Sequence, residues 1–272
     1  MPSWLITGSN RGIGLALVQH LLESSLDNYV IATGRNISVI SLQELTSKYP
    51  QDRLQIIQLD VADRVSVDEA VKKLWSLLPE GLDYLVNNAG VHPQPWAKFE
   101  DLHRIIVSRE LEYTNLKRDY GLFRDELEFS TIVPLRLSRL LLPLTRKSKE
   151  KKVIFITSAM GSFERTYPLV DQCNAYSVAK AALNMLAHKW AASLKLEGVT
   201  VAIVHPAAHR LHIGWVKTDI GDPLLEWMTK NAPAVKQIDS KDSAAGIVQL
   251  AEGWKLEKTG EFMNWDGTSL PW

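Results

Sequence analysis

The 272-residue chain carries 31 basic and 31 acidic side chains and is formally neutral at pH 7, so it lacks the positive excess a nucleic-acid partner requires. A hydrophobic share of 46% beside 23% charged residues belongs to a folded globular chain. The greasiest stretch, Leu135 to Leu144, is interrupted by Arg136, Arg139 and Pro143 and falls short of the roughly 18 apolar residues that span a bilayer, which excludes a helical membrane anchor as the expected design. One cysteine, Cys173, cannot form an internal disulfide and fits a reducing compartment. The N-terminus has neither a basic region nor a long apolar run, and the expected location is cytoplasmic. Cys173 reads more simply as a small buried residue than as a nucleophile.

From Trp4 to Leu22 the chain reads as an apolar strand (Leu5, Ile6), a glycine turn and an amphipathic helix with Leu15, Val18, Leu21 and Leu22 on one face. Such a turn aims backbone N–H groups and the positive end of a helix at one point, which suits a pyrophosphate. Gly8 permits the tight turn, Gly12 a close approach of phosphate, and Gly14 close packing of helix and strand. The spacing Thr7-Gly8-x-x-x-Gly12-x-Gly14 resembles the T-G-x-x-x-G-x-G loop of the short-chain dehydrogenases/reductases.

Tyr29 to Thr33 is a second strand, ending at Gly34-Arg35. An NAD-binding fold places an acid about 20 residues past the loop to grip the ribose 2′-hydroxyl. This chain has Gly34 and Arg35 there, with Arg11 as a second base, a pattern that favours NADP(H); the plainer reading of Arg35 is a solvated turn residue. Leu42 to Tyr49 is a helix and Leu54 to Leu59 a third strand. Asp60 then either caps the helix that starts near Ser66 or, as the resemblance implies, touches adenine, and both roles are assigned to it. Val67 to Leu78 is the next helix.

Strand four, Leu82 to Val86, leaves through Asn87-Asn88-Ala89-Gly90, a second family motif. Val91 to Glu128 is crowded with charge and about a dozen residues longer than its family counterpart. It is expected to be an extended surface insertion with helical parts, or a lid or partner surface. Phe129 to Leu144 reads as one helix broken at Pro134 and Pro143. The family carries an asparagine four residues before that first proline, where it holds a water that links the catalytic lysine to solvent. Here Ser130 stands in that place, which implies slower turnover and a gain on Ser130→Asn.

Lys152 to Ser158 is an apolar fifth strand with Ser158 at its carboxyl end, where ligands bind in open α/β sheets. Eighteen residues later come Tyr176 and, four further, Lys180, on one helix face. A free phenol titrates near pH 10, and an ammonium one turn away is expected to stabilise the phenolate. By resemblance, Ser158 orients the carbonyl oxygen, Tyr176 donates the proton and Lys180 binds the nicotinamide ribose. The longer gap before Tyr176 puts the loop from Phe163 to Asn174 beside the substrate. Leu183, Leu186, Trp190 and Leu194 continue the helix as core, with some of them serving an interface between copies.

Strand six runs from Thr200 to Pro206. Relatives run directly on to Gly-Trp-Val-x-Thr-Asp, the turn that covers the nicotinamide carboxamide. Here seven residues, Ala207 to Ile213, intervene before Gly214-Trp215-Val216-Lys217-Thr218-Asp219. His209 and His212 within them read as surface loop, and no metal is expected. Asp222 to Asn231 is a helix over the substrate pocket, Asp242 to Ala251 the last helix, and Glu261 to Gly267 the seventh strand and turn. The closing Gly-Thr-Ser-Leu-Pro-Trp resembles the C-factor-like and sniffer-type carbonyl reductases, a branch that includes fungal norsolorinic acid ketoreductase-like enzymes.

The expected fold is α/β: a single doubly wound Rossmann-type domain over residues 1–272, a seven-stranded parallel sheet of order 3-2-1-4-5-6-7 with helices on both faces, and insertions at about 91–128 and 207–213. The resemblance implies NADPH-dependent reduction of a ketone or aldehyde, a polyketide-type or other secondary metabolite among the candidates, to an alcohol. Ser158, Tyr176, Lys180 and Ser130 are the implied catalytic set. Cofactor contacts are implied at Gly8, Ser9, Arg11, Gly12, Ile13, Gly14, Arg35, Asp60, Val61, Asn87, Ala89, Gly90, Tyr176, Lys180, Pro206, Val216 and Thr218. The expected partner is a small carbonyl or alcohol substrate, with no nucleic acid or membrane, and the chain is expected to form a dimer or tetramer. Two other readings stay open: a non-redox isomerase or cyclase on the same scaffold, and a dinucleotide sensor with little turnover.

Overall fold

The computed structural model describes residues 1–99, 112–166, 172–209, 212–231, 233 and 237–272. Seven strands form one sheet: β1 (Ser3–Ile6), β2 (Tyr29–Gly34), β3 (Leu54–Gln58), β4 (Tyr84–Asn87), β5 (Lys152–Ile156), β6 (Thr200–His205) and β7 (Phe262–Asn264). They lie in the order β3-β2-β1-β4-β5-β6-β7, and every neighbouring pair is parallel. The expected strand order is the observed one. The chain winds outward from β1 in one direction and from β4 in the other, so a crevice opens between the tips of β1 and β4.

Side chains alternate across the sheet with period two, and both faces are buried. Leu5, Ile31, Leu85, Val153, Phe155 and Ile203 pack on one face with α3 (Arg64–Leu77), α5 (Ile132–Lys147) and α7 (Asn174–Lys195). Trp4, Ile6, Val30, Val86, Ile154 and Val204 pack on the other with α1 (Gly12–Ser24), α2 (Ile40–Lys48) and α9 (Ser240–Gly253). Each fully buried Leu, Ile or Phe contributes about 1.5–3 kcal/mol relative to exposure. In α1 the buried stripe is Ala16, Leu17, Val18, Leu21 and Leu22, while Leu15 is half-buried. In α7 the core side is built largely of alanines at 175, 179, 187 and 191 with Leu183 and Leu194. Leu186 and Trp190 are only half-buried. Small side chains let α7 lie close to its neighbours.

Three local expectations need correction. The helix read from Phe129 to Leu144 is two helices, α4 (Glu112–Ser130) and α5, divided at Thr131. Pro134 sits in the first turn of α5, where its missing N–H costs nothing, and α5 runs on past Pro143. Asp63, not Asp60, caps α3: its carboxylate accepts from the Ser66 N–H at 2.7 Å. The charged stretch of the insertion is not all surface, because Glu126 is completely buried. Residues 100–111 of that insertion and 167–171 of the loop before Tyr176 lie outside the described residues.

The second insertion folds into a small antiparallel ladder, Ala208–His209 against His212–Ile213. Trp215–Val216 beyond it pairs in parallel with Gln237–Ile238. The single-turn α6 (Phe163–Thr166) precedes α7, and a short 3-10 turn (Asp222–Leu224) leads into α8 (Leu225–Asn231). Among the described residues no helix is long and apolar enough to cross a membrane.

Candidate active site

The glycine loop is a cradle shaped by missing side chains. Gly8 (φ +69°) and Gly12 (φ +55°) hold left-handed backbone that glycine adopts without penalty. A Cβ on Gly14 would stand 2.2 Å from the Gly8 carbonyl oxygen and 2.6 Å from Asn88 Nδ2, so only glycine lets α1 start this close to the loop. No side chain among the described residues caps α1, and no acid stands in its first turn. Its N-terminal amides are therefore free to meet an anion.

The loop is pinned to β2 and β4. Asn88 Nδ2 donates to the Thr7 and Gly8 carbonyls at 2.8 and 3.3 Å, and the Thr7 hydroxyl accepts from the Asn88 and Ala89 N–H groups at 2.9 and 3.0 Å. Ser9 is fully buried, donating to the Ile6 carbonyl and accepting from the Thr33 N–H. Ser9 and Gly14 thus hold the loop's shape and do not face the cavity. Asn87 is also turned away: its amide donates to the Ser138 hydroxyl at 3.0 Å under the sheet. Its neighbour Asn88, in the same motif, lies at the cavity. Ala89 backs Gly8, with its Cα 3.1 Å from where a Gly8 Cβ would be.

A cavity of about 780 Å³ runs along the strand tips. Arg35, Asp60 and Val61 line one part, and Gly8, Arg11, Gly12, Ile13 and Gly90 another. Pro206, Val216 and Thr218 close over it, and Ser158, Tyr176 and Lys180 complete the wall. Ser130, buried at the end of α4, does not line it. Arg11 forms an ion pair with Asp219, so the segment after Val216 is tied back across the glycine loop, and Arg11 is less available for a phosphate than its sequence position suggests. Arg35 is exposed at the rim. Among the described residues no three His, Cys, Asp or Glu side chains gather as a metal site.

Tyr176 and Lys180 stand one turn apart on α7, with the Lys180 Nζ 5.4 Å from the Tyr176 ring centre. Lys180 is buried and donates to the Ile156 carbonyl at 3.3 Å; burial pulls its pKa down to about 8, against the charge of Glu126. Burial raises the Tyr176 pKa above the usual phenol value, Cys173 and Glu126 add to that, and a hydrogen bond with Ser158 works against it. In this structure desolvation is the largest effect on the Tyr176 phenol. Cys173, at the start of α7 with φ +55°, is buried and its thiol is pushed up to about 12, which makes it inert as a nucleophile.

Ser158 is held by a turn that the sequence did not reveal. Its hydroxyl accepts from the Met160 N–H at 3.1 Å, and the Ala159 N–H donates to His205 Nδ1 at 3.0 Å. His205 is buried at the tip of β6, and desolvation lowers its pKa to about 3, so it is neutral. Gly161 lets α7 approach this turn, since a Cβ there would stand 2.7 Å from the Lys180 carbonyl carbon. Asn184 bonds Thr157 and Gly161 from α7 and fixes the approach.

The family model for the short chain dehydrogenases matches residues 3–227, which contain the glycine loop, Asn87 to Gly90, Ser158, Tyr176 and Lys180. The chain belongs to the short-chain dehydrogenase family. It is an oxidoreductase by that membership. The short-chain dehydrogenase/reductase atnB of Arthrinium sp. is 33% identical over 80% of this chain and 76% of its own length. The C-signal protein of Myxococcus xanthus is 30% identical over 70% of this chain and 93% of its own. Among solved structures, the NADPH-bound carbonyl reductase from chicken fatty liver is 29% identical with a TM-score of 0.80, covering 100% of this chain and 99% of that one. Carbonyl reductase Sniffer of D. melanogaster is 27% identical with a TM-score of 0.79, and both chains are covered completely.

Three residues at the site carry no local signal in the sequence. His205 shows only as part of a His-Pro pair, and His92 and Glu126 read as ordinary charge in the insertion. His92 Nδ1 lies 3.0 Å from Glu126 Oε1, both side chains are buried, and the imidazole packs 4.4 Å from the Tyr176 ring, centre to centre.

Proposed function

We propose that this short-chain dehydrogenase is an NADP(H)-dependent carbonyl reductase that converts an apolar, aromatic-bearing ketone or aldehyde to its alcohol. The observation that carries the reading is one cavity walled jointly by the uncapped start of α1, by Arg35, and by Ser158, Tyr176 and Lys180. The residues fit a dinucleotide phosphate. The glycine cradle has no Cβ to obstruct a pyrophosphate, no carboxylate among the described residues stands at the tip of β2 to repel a 2′-phosphate, and Arg35 is exposed at the rim to pair with one. Asp60 and Val61, which line the same cavity as Arg35, are assigned to the adenine end.

When bound in this cavity, NADPH would supply the hydride that the carbonyl carbon takes up. On the protein side, the Ser158 hydroxyl, fixed through the His205 turn, holds the carbonyl oxygen beside the Tyr176 hydroxyl. Tyr176 gives its proton to that oxygen as negative charge develops there. Lys180, cationic below about pH 8, offsets the phenolate left behind. Phe129, Met160, Trp215, Leu224, Trp227 and Met228 give the substrate end an apolar, aromatic wall that excludes water and selects an apolar substrate.

The test is NADPH oxidation against a panel of aromatic and aliphatic aldehydes and ketones, with Tyr176→Phe as control. Turnover that the variant abolishes supports the reductase. Substrate conversion without net cofactor use indicates an isomerase or cyclase, and dinucleotide binding without conversion indicates a sensor; either result overturns the proposal.

A further inference from the structure

The inserted segment after β4 does more than extend the surface. It delivers a carboxylate and an imidazole, both out of water, to the back of the residue proposed as proton donor. The Glu126 side chain has 0% exposure and that of His92 2%. Their contact is 3.0 Å, between Oε1 and Nδ1. Glu126 Oε2 and His92 Nε2 have no hydrogen-bond partner among the described residues. Burying an ionised carboxylate is costly unless a partner meets it, so a surface insertion gains nothing by hiding one.

Several bonds fix this geometry. The Cys173 N–H donates to the Pro95 carbonyl at 2.9 Å, and Asn174 Nδ2 donates to the Ala97 carbonyl at 3.3 Å. The chain carrying His92 is thereby tied to the start of α7, two and three residues from Tyr176. The rings of His92 and Tyr176 then meet at 4.4 Å with a 47° tilt. Among the described residues the titratable groups around the imidazole are Glu126 on α4, Cys173 just before α7, and Tyr176 and Lys180 on α7; His205 lines the same cavity from β6. The charge of Glu126 is felt by Tyr176, Cys173 and Lys180 alike.

From this juxtaposition we infer that His92 and Glu126 form a titratable positioning pair that sets the acidity of Tyr176. With His92 neutral, its Nδ1–H donates to Glu126, the pair carries one net negative charge, and a phenolate beside it is disfavoured. With His92 protonated the pair is neutral overall, and Tyr176 becomes the stronger acid. Proton donation to a substrate oxygen therefore quickens as the imidazole takes up a proton. The kinetic part of the inference rests on the reductase reading above; the titration of His92 does not.

The test combines two measurements. NMR follows the His92 imidazole in the protein from about pH 5 to about pH 9. Single-turnover NADPH oxidation, with 4-nitrobenzaldehyde as the probe, is recorded over the same range. In the unaltered protein the rate steps up by as much as about tenfold, the equivalent of one pKa unit, at the pH where His92 titrates. Glu126→Gln, which keeps shape without charge, lifts the rate at the high-pH end, where His92 is neutral, to at least the fast level of the unaltered protein. His92→Asn, which keeps a donor to Glu126 but cannot take up a proton, holds the slow level. The opposite directions separate this role from a structural one, since two damaging substitutions would both slow the reaction and leave the step in place. Were Glu126→Gln not to fold, His92→Asn and the coincidence of the two titrations still decide. A His92 that stays in one protonation state across the range, a step away from its titration, or a step retained in His92→Asn overturns the inference. Absence of any NADPH oxidation, with His92 titrating and Glu126→Gln shifting that titration, instead locates the failure in the reductase reading.

Discussion

Replacing His205 with Asn removes an imidazole whose proton the fold excludes. In the folded chain burial holds its pKa near 3, against 6.5 for an ordinary histidine. Between those values the unfolded chain binds a proton that the native chain does not, so stability is fully present above about pH 6.5 and falls as pH drops towards 3. The whole span amounts to about 5 kcal/mol at 1.36 kcal/mol per unit. Over the accessible interval from about pH 7.5 to about pH 5.5 the loss from this one group is about 1.4 kcal/mol. The Asn side chain leaves an acceptor for the Ala159 N–H, so the turn that holds Ser158 is kept while the titrating group is lost. Urea unfolding of both proteins at the two pH values isolates the effect, because the carboxylates contribute equally to each. The difference in stability between the two pH values is expected to be smaller in His205→Asn by about 1.4 kcal/mol. Equal pH dependence in the two proteins would refute the reasoning and place the imidazole in contact with water.

Tyr176→Phe keeps the ring and its packing but removes the proton donor; kcat/KM is expected to fall by about 10²–10⁴-fold with NADPH affinity and the melting temperature little changed. Arg35→Glu places a carboxylate where the 2′-phosphate is proposed to lie, and should raise KM for NADPH about 30-fold, near 2 kcal/mol, with a much smaller change for NADH. Gly14→Ala drives a methyl group to 2.2 Å from the Gly8 carbonyl. It should cost about 1–3 kcal/mol, measured by denaturant unfolding, and weaken dinucleotide binding in isothermal titration.

Local pattern was enough for the scaffold. Apolar runs of strand length, helical stripes between them and glycines at the first turn are all short-range signals, and they yield the strand order because parallel crossovers leave few alternatives. The Tyr176–Lys180 pairing is also local, since four residues on a helix bring two side chains to one face. Which residue near a strand tip does a task was not legible. Asn87 points under the sheet to Ser138 while Asn88 locks the glycine loop, and Asp63 caps α3 while Asp60 lies at the cavity. A shift of one residue along a strand tip reverses the direction of a side chain, and only the packed neighbours fix it. Arg11 looked free in the sequence and is paired with Asp219, 208 residues on. Glu126 looked like surface charge and lies completely buried against His92. The sequence by itself determined where strands and helices form and that a hydroxyl, a phenol and an ammonium come from β5 and α7. The tertiary structure alone decided their protonation, because desolvation depends on what distant segments place around a group and not on the residues beside it in the chain.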